Sequence, residues 1–309
     1  MLDLAELKAE IAARNLGWKP AEKSIFTVTE PGGGTQAYLG ISVDPQLASA
    51  QLTVARSVES AAFVALPPAP TSIDWRKARS GVNFVTPIRN QGVCGACVAF
   101  GTVAVVESRL AIERDEADPD HDLSEAALFF GAGRTCAQGW WPEAALGYAR
   151  TRGIGRESDF PYPGHDAPGK DVKPLAWVTG WENAATSSHR RKAIAYRGPV
   201  VAVLRVYEDF LRYGSGIYKY AAGEFVGLHC VAVVGYDDDL GAWIIKNSWG
   251  REWGEDGFGY IAYNNCGIDS EYVFWDPYVT AAFTAAEPAT AGLLARHGKR
   301  KRAAAPRAG

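Results

Sequence analysis

The stretch CVAFGTVAVVESRLAIERD, beginning at Cys97, constrains the fold more than any other part of the chain. It has no proline, a single glycine and apolar residues nearly all round the helical turn, the pattern of a helix buried on most sides. Such a helix needs a core around it, which the rest of the chain must supply. A second helical pattern covers residues 142–152. After Gly198 the pattern changes to short β-branched and aromatic runs, PVVAVLRV, HCVAVVGYD, AWIIKNSWG and FGYIAYN, separated by Gly and Asp turns. Helices first and strands second predict an α+β protein in two halves.

The 309 residues, 47% hydrophobic and 22% charged, hold ample material for that core. A formal net charge of −3 gives no global reason to expect nucleic acid or an anionic membrane as partner. No stretch reaches the roughly 18 apolar residues of a membrane span. The opening MLDLAELKAEIAARN mixes acids and bases and lacks the apolar centre of a secretory signal, so the chain reads as cytoplasmic, with secretion as the alternative.

Leu4, Leu7 and Ile11 stand at helical spacing and predict a short amphipathic helix within residues 3–15. PGGG at 31–34 and LPPAP at 66–70 are breaks, and the second marks the main boundary. Residues 1–70 are therefore set apart as an N-terminal segment. Residues 71–279 form the main domain, with 71–185 mainly helical and 186–279 mainly β. The Ala-rich end, 280–309, closes on the basic ARHGKRKRAAAPRAG and is expected to be a disordered tail.

The buried helix opens inside QGVCGACVAF, where Cys94 and Cys97 form a C-x-x-C pair that suits a redox turn, a metal knuckle or a nucleophile beside an unrelated thiol. A zinc site needs about four ligands, yet Cys136, Cys230 and Cys266 make no second pair and the five His have no paired spacing, so no metal or cofactor is expected. A thioredoxin-like site would need a βαβ setting that is missing. The nucleophile reading has a candidate for each role. Cys97 lies at the first turn of the helix, whose dipole favours the thiolate and lowers its pKa from about 8.5. His229 is the base by elimination, being the only His inside a strand pattern. Asn247, eighteen residues on, can orient the imidazole through its amide. Gln91, in the turn before the helix, and the Cys97 backbone N–H can together form an oxyanion hole.

In this arrangement the chain resembles the papain and cathepsin cysteine peptidases over roughly residues 73 to 277. Their Cys signature has its His and Asn about 130 to 150 residues downstream; here the separations from Cys97 are 132 to His229 and 150 to Asn247. Further similar stretches follow in order: IDWR, VTPIRNQG, LSEAAL, DFPYPG, RGPVVAV, GSGIY and NSWGREWGEDGFGYI.

The resemblance implies a papain-like two-domain fold, with a helical left domain, a β-barrel-like right domain and the active-site cleft between them. It assigns Cys97 as nucleophile and Cys94 as a half-cystine paired with Cys136, with two free thiols as the alternative pairing state. It also implies substrate contacts at Gly139, Trp140, Trp141, Val203 and Cys230, and a shielding role for Trp249 over the His–Asn bond. Gln138 replaces the first of two family glycines, Val98 an aromatic, and Leu228 an Asn or Asp. Cys230 and Cys266 are read as unpaired, Trp253 as core, and Glu107 as a buried structural carboxylate. The implied activity is that of an endopeptidase taking peptide or protein substrates as a monomer, with residues 1–70 as an intramolecular inhibitor of a zymogen. A peptide ligase or transacylase using the same thioester, and a catalytically weak binding homologue, are the alternatives.

Overall fold

The computed structural model describes residues 2–26, 39–41, 65–119 and 121–282. The PGGG stretch and the chain beyond residue 282, which includes nearly all of the expected tail, lie outside the described residues.

Helix α1 (Leu4–Ala13) starts where the Asp3 carboxylate accepts from the backbone N–H groups of Ala5 and Glu6, and it buries Leu7 and Ile11. Strand β1 (Lys19–Pro20) follows. The main domain then opens on β2 (Ser72–Asp74).

Helix α2 (Cys97–Arg114) is buried from Cys97 to Ile112 and ends at Asp115, which adopts the left-handed conformation with φ 57°. Around it lie α3 (Glu125–Phe129), capped by the Ser124 hydroxyl, and α4 (Pro142–Arg152), with proline in its first turn. These helices make up the left half.

The right half is an eight-stranded sheet. Strands β3 (Ala176–Ala184), β4 (Val200–Tyr207), β7 (Phe225–Asp237), β8 (Ala242–Lys246), β9 (Phe258–Ala262) and β10 (Phe274–Ala281) run in the order β3-β10-β4-β7-β8-β9, with short β6 (Ile217–Tyr218) at the β9 edge and β2 on β7. All pairs are antiparallel except β6 with β9. Helix α5 (Ser187–Arg197), capped by Thr186, packs against β3 and β7, while β5 (Tyr213–Ser215) pairs separately with β1.

Two differences from the sequence reading concern boundaries. Strand β3 lies in the stretch read as mainly helical and pairs with β10 along its length; its AWVTGWENA has no clean alternation to mark it. Pairing continues through Thr280 and Ala281, two residues into the expected tail.

Helix and sheet meet where α2 packs on β7, and this contact positions the site. Two charged side chains of α2 are buried there with partners. Arg109 donates to the carbonyls of Pro199 (2.7 Å), Pro277 (2.6 Å) and Gly198 (3.3 Å) and pairs with Asp276, tying the helix to β10. Glu107 accepts from Thr86 Oγ1 (2.6 Å) and the Leu123 backbone N–H (2.8 Å), and Lys246 Nζ donates to the same Thr86 oxygen (2.9 Å). Burial pushes Glu107 up to about 7 and Lys246 down to about 8, and each opposite charge offsets part of the other's shift.

Candidate active site

Cys97 is the first residue of α2. The preceding Ala96 offers no side-chain cap, so the helix N-terminus is left to the backbone and to whatever binds there. His229 lies in the middle of β7, and Asn247 immediately follows β8, the neighbouring strand. Adjacent antiparallel strands thus bring together two residues 18 apart in sequence. His229 Nε2 is 2.7 Å from Asn247 Oδ1.

The tautomer of this histidine follows from a second contact. The Ser248 backbone N–H donates to the same Asn247 Oδ1 at 2.8 Å. A backbone N–H can only donate, so that atom is the amide oxygen, and His229 Nε2 must carry the hydrogen that points at it. In the neutral ring Nδ1 is then the basic nitrogen. It is buried without a hydrogen-bond partner, as is Asn247 Nδ2. Trp249 lies over this pair, its ring stacked on the imidazole at 4.4 Å and 26°.

Gln91 is fully buried, and its amide is held at both ends. Nε2 donates to the Cys94 carbonyl at 2.8 Å, and Oε1 accepts from Ser248 Oγ at 2.6 Å. Its backbone is fixed too, with N donating to Ser248 O at 2.9 Å and O accepting from Tyr162 Oη at 3.0 Å. Ser248 therefore links Gln91 to Asn247. Sequence reasoning missed this residue, although it sits inside the NSWG motif. Cys94 and Cys136 form a disulfide that pins the turn before α2 to the loop carrying Gly139, and Cys97, Cys230 and Cys266 are free.

The cleft is filled by the chain itself. Gly40 passes so close to the turn before Cys97 that a Cβ on it would lie 1.9 Å from the Gly95 carbonyl oxygen; a Cβ on Gly139 would meet the Gly40 carbonyl oxygen at 2.5 Å. The Trp140 backbone N–H donates to Gly40 O at 2.7 Å, and Ile41 forms a parallel bridge with Trp140. Upstream, Phe26 meets Trp249 edge-on at 5.0 Å, and Trp18 packs on Tyr218 at 5.2 Å with its indole N–H on the Lys219 carbonyl.

This cover reverses the expectation for the thiol. Cys97 and His229 have no exposed surface. Burial pushes the Cys97 thiol up to about 11, even though the backbone N–H groups of Cys230 and Gly40 favour its charged form. Burial also pulls His229 down to about 4, against the Asn247 hydrogen bond. The helix terminus is present, but desolvation outweighs it, and the covered pair is a neutral thiol and a neutral imidazole over most of the pH range.

The expected substrate-contacting residues fall into three groups. Gly139, Trp140 and Trp249 touch the segment now in the cleft. Val203 of β4 and Cys230 of β7 are buried cross-strand partners, and Cys230 faces α2, its Sγ 2.9 Å from the position of a Cβ on Gly101. The Trp141 ring is engaged by Trp275 at 5.2 Å and Tyr272 at 6.4 Å. Of the departures from the family pattern, Val98 is fully buried and Leu228 half-buried.

A family model described as "Papain family cysteine protease" matches residues 69–275, two thirds of the chain. The chain belongs to the papain family of cysteine peptidases. It is 35% identical over 219 residues to "Cysteine proteinase 1" of Entamoeba histolytica, covering 67% of this chain and 68% of that protein. It is 36% identical over 216 residues to "Pro-cathepsin H" of Bos taurus, covering 65% and 63% respectively. The whole fold is similar to a procathepsin B of Trypanosoma congolense, with TM-score 0.72, 22% identity and coverage of 90% and 99%. A digestive procathepsin L2 of Tenebrio molitor gives TM-score 0.69 and 26% identity, with 88% of each chain covered.

Proposed function

We propose that the protein is an endopeptidase made as a zymogen, working through a Cys97 thioester with His229 as acid and base. The observation that carries this reading is the pair of fixed polar groups around the thiol. The His229–Asn247 hydrogen bond and the Ser248 contact leave Nδ1 as the one basic nitrogen of the ring, and Gln91 is locked in the turn that leads to Cys97.

Once the cleft is open, Nδ1 takes the thiol proton and Cys97 Sγ attacks the scissile carbonyl carbon. The resulting oxyanion is held by the Cys97 backbone N–H and Gln91 Nε2. Collapse of the intermediate breaks the C–N bond as the imidazolium passes its proton to the leaving amine. Water then attacks the thioester with Nδ1 as base, releasing the acid and the thiol. Asn247 holds the ring in one tautomer throughout, and stacked Trp249 keeps solvent from that hydrogen bond.

Cleavage within chains is favoured because the N-terminal segment touches the cleft on both sides of the thiol, from Phe26 at Trp249 to Ile41 at Trp140. The same contacts make residues 1–70 the inhibitor. The test is cleavage of a mixed peptide library after incubation at mildly acidic pH, for wild type beside Cys97→Ala. Internal cleavage by wild type, reduced roughly ten-thousand-fold or more in the variant, is expected. Comparable activity of the variant, or terminal trimming only, contradicts the reading.

A further inference from the structure

Thr86 lies in the VTPIRNQG stretch, five residues before Gln91, and its side chain is buried. Its hydroxyl stands between two buried charges, donating to Glu107 Oε2 at 2.6 Å and accepting from Lys246 Nζ at 2.9 Å. The direction of this chain of bonds is fixed. An ammonium can only donate, so the single hydroxyl hydrogen is left for the carboxylate, and both bonds are of the stronger, charge-assisted kind.

The three residues belong to three segments, and each segment carries one part of the site. Thr86 leads to Gln91, Glu107 lies on α2 ten residues and about 15 Å beyond Cys97, and Lys246 ends β8 immediately before Asn247. Backbone contacts already hold the first and third segments side by side. The Gln91 N–H donates to Ser248 O at 2.9 Å, the Gly250 N–H donates to Arg89 O at 3.1 Å, and Asn90 forms a bridge with Trp249. The Thr86–Glu107 bond carries this pair of segments across to α2, and the Lys246–Thr86 bond fixes the end of β8 from which Asn247 projects.

We infer that Thr86 is a positioning residue whose hydroxyl sets where Asn247, and through it the His229 ring, stands relative to Cys97 and Gln91. The inference rests on the peptidase reading and adds to it a residue that touches neither substrate nor the reacting atoms. Displacing a reacting group by about 1 Å from a remote support costs about a hundredfold in rate, so a small shift is enough to be measured. The loss should fall on kcat, because the surfaces that hold the peptide stay in place.

The test compares Thr86→Val, which keeps the shape and removes the hydroxyl, with Thr86→Ser, which keeps the hydroxyl. Both are assayed after acid opening on one peptide that wild type cleaves, with active sites counted by epoxide titration of Cys97, so that a loss of folded protein alone does not alter the constants. Per active site, Thr86→Val is expected to lower kcat about thirtyfold with KM within about twofold, and Thr86→Ser to stay within about threefold of wild type in both. Should Thr86→Val not fold, Thr86→Ala takes its place, with kcat lowered about tenfold and the same constancy of KM. A wild-type kcat per site in the variant lacking the hydroxyl, equal losses with and without the hydroxyl, or a change confined to KM overturns this inference and leaves the peptidase reading standing. A wild type that cleaves no peptide overturns both.

Discussion

Along α2, Arg109 and Cys97 are separated by three turns of one helix and treated in opposite ways. All the guanidinium nitrogens of Arg109 find an acceptor on Pro199, Gly198, Pro277 or Asp276. At Cys97 the surrounding groups are fixed but incompletely matched: His229 Nδ1 and Asn247 Nδ2 are buried with no partner. A buried polar atom without a partner costs about 1–3 kcal/mol. The matched end of α2 joins the two halves, and in the proposed function the unmatched end is where a substrate supplies the missing partners.

The largest effect that would test this contrast is on stability. Arg109→Met leaves Asp276 paired with Arg197, at 3.0 Å, and is expected to cost about 4 kcal/mol in denaturant unfolding. Cys97→Ala should change stability by no more than about 1 kcal/mol. Equal costs at the two positions would remove the distinction.

Next is a pH effect of definite sign. The unfolded His229 ring takes up a proton below about 6.5, whereas the covered, folded ring does so only near 4. Between those values the unfolded chain binds more protons, so the His229 contribution to stability is present at neutral pH and is lost as pH falls from 6.5 to 4, by about 3 kcal/mol. The unfolding free energy of the full chain at pH 7 and pH 4.5, compared with that of His229→Gln, isolates this slope; equal slopes would contradict it. At the alkaline end the sign is opposite, because the unfolded thiol ionises near 9.0 and the covered one near 11.

A smaller effect concerns orientation. Asn247→Ala removes the acceptor that fixes the His229 tautomer and should lower kcat about a hundredfold while leaving KM nearly unchanged. A change confined to KM would place Asn247 in substrate binding instead.

Much of this was legible in the sequence, for particular reasons. The all-round apolar pattern from Cys97 announced α2, and the separation of Cys97, His229 and Asn247, with the resemblance built on it, named the candidate residues in advance. Strand β3 escaped because its residues are neither alternating nor wholly apolar. Arg109 looked like an ordinary helical arginine, since most of its acceptors are backbone carbonyls that no side-chain pattern reveals. The state of the thiol in the covered chain differs from that expected of an open site. The helix dipole is a local property, visible at Cys97, but the burial that outweighs it in the covered chain depends on tertiary packing that no local pattern shows. Gly40, Gly95 and Gly139 carry no chemistry of their own, and their importance is visible only once their neighbours are known.

The central claim is that Cys97 is a nucleophile kept silent by residues 39–41. It is tested most directly by mapping the site and rate of epoxide labelling in the full-length protein and in Gly40→Val, whose Cβ would lie 1.9 Å from the Gly95 oxygen and so displace the cover. The account predicts slow labelling of Cys97 in the native full-length chain, and labelling at least tenfold faster at the same residue in the folded variant. Equal rates in the two proteins, or labelling at Cys230 or Cys266 in place of Cys97, would contradict it.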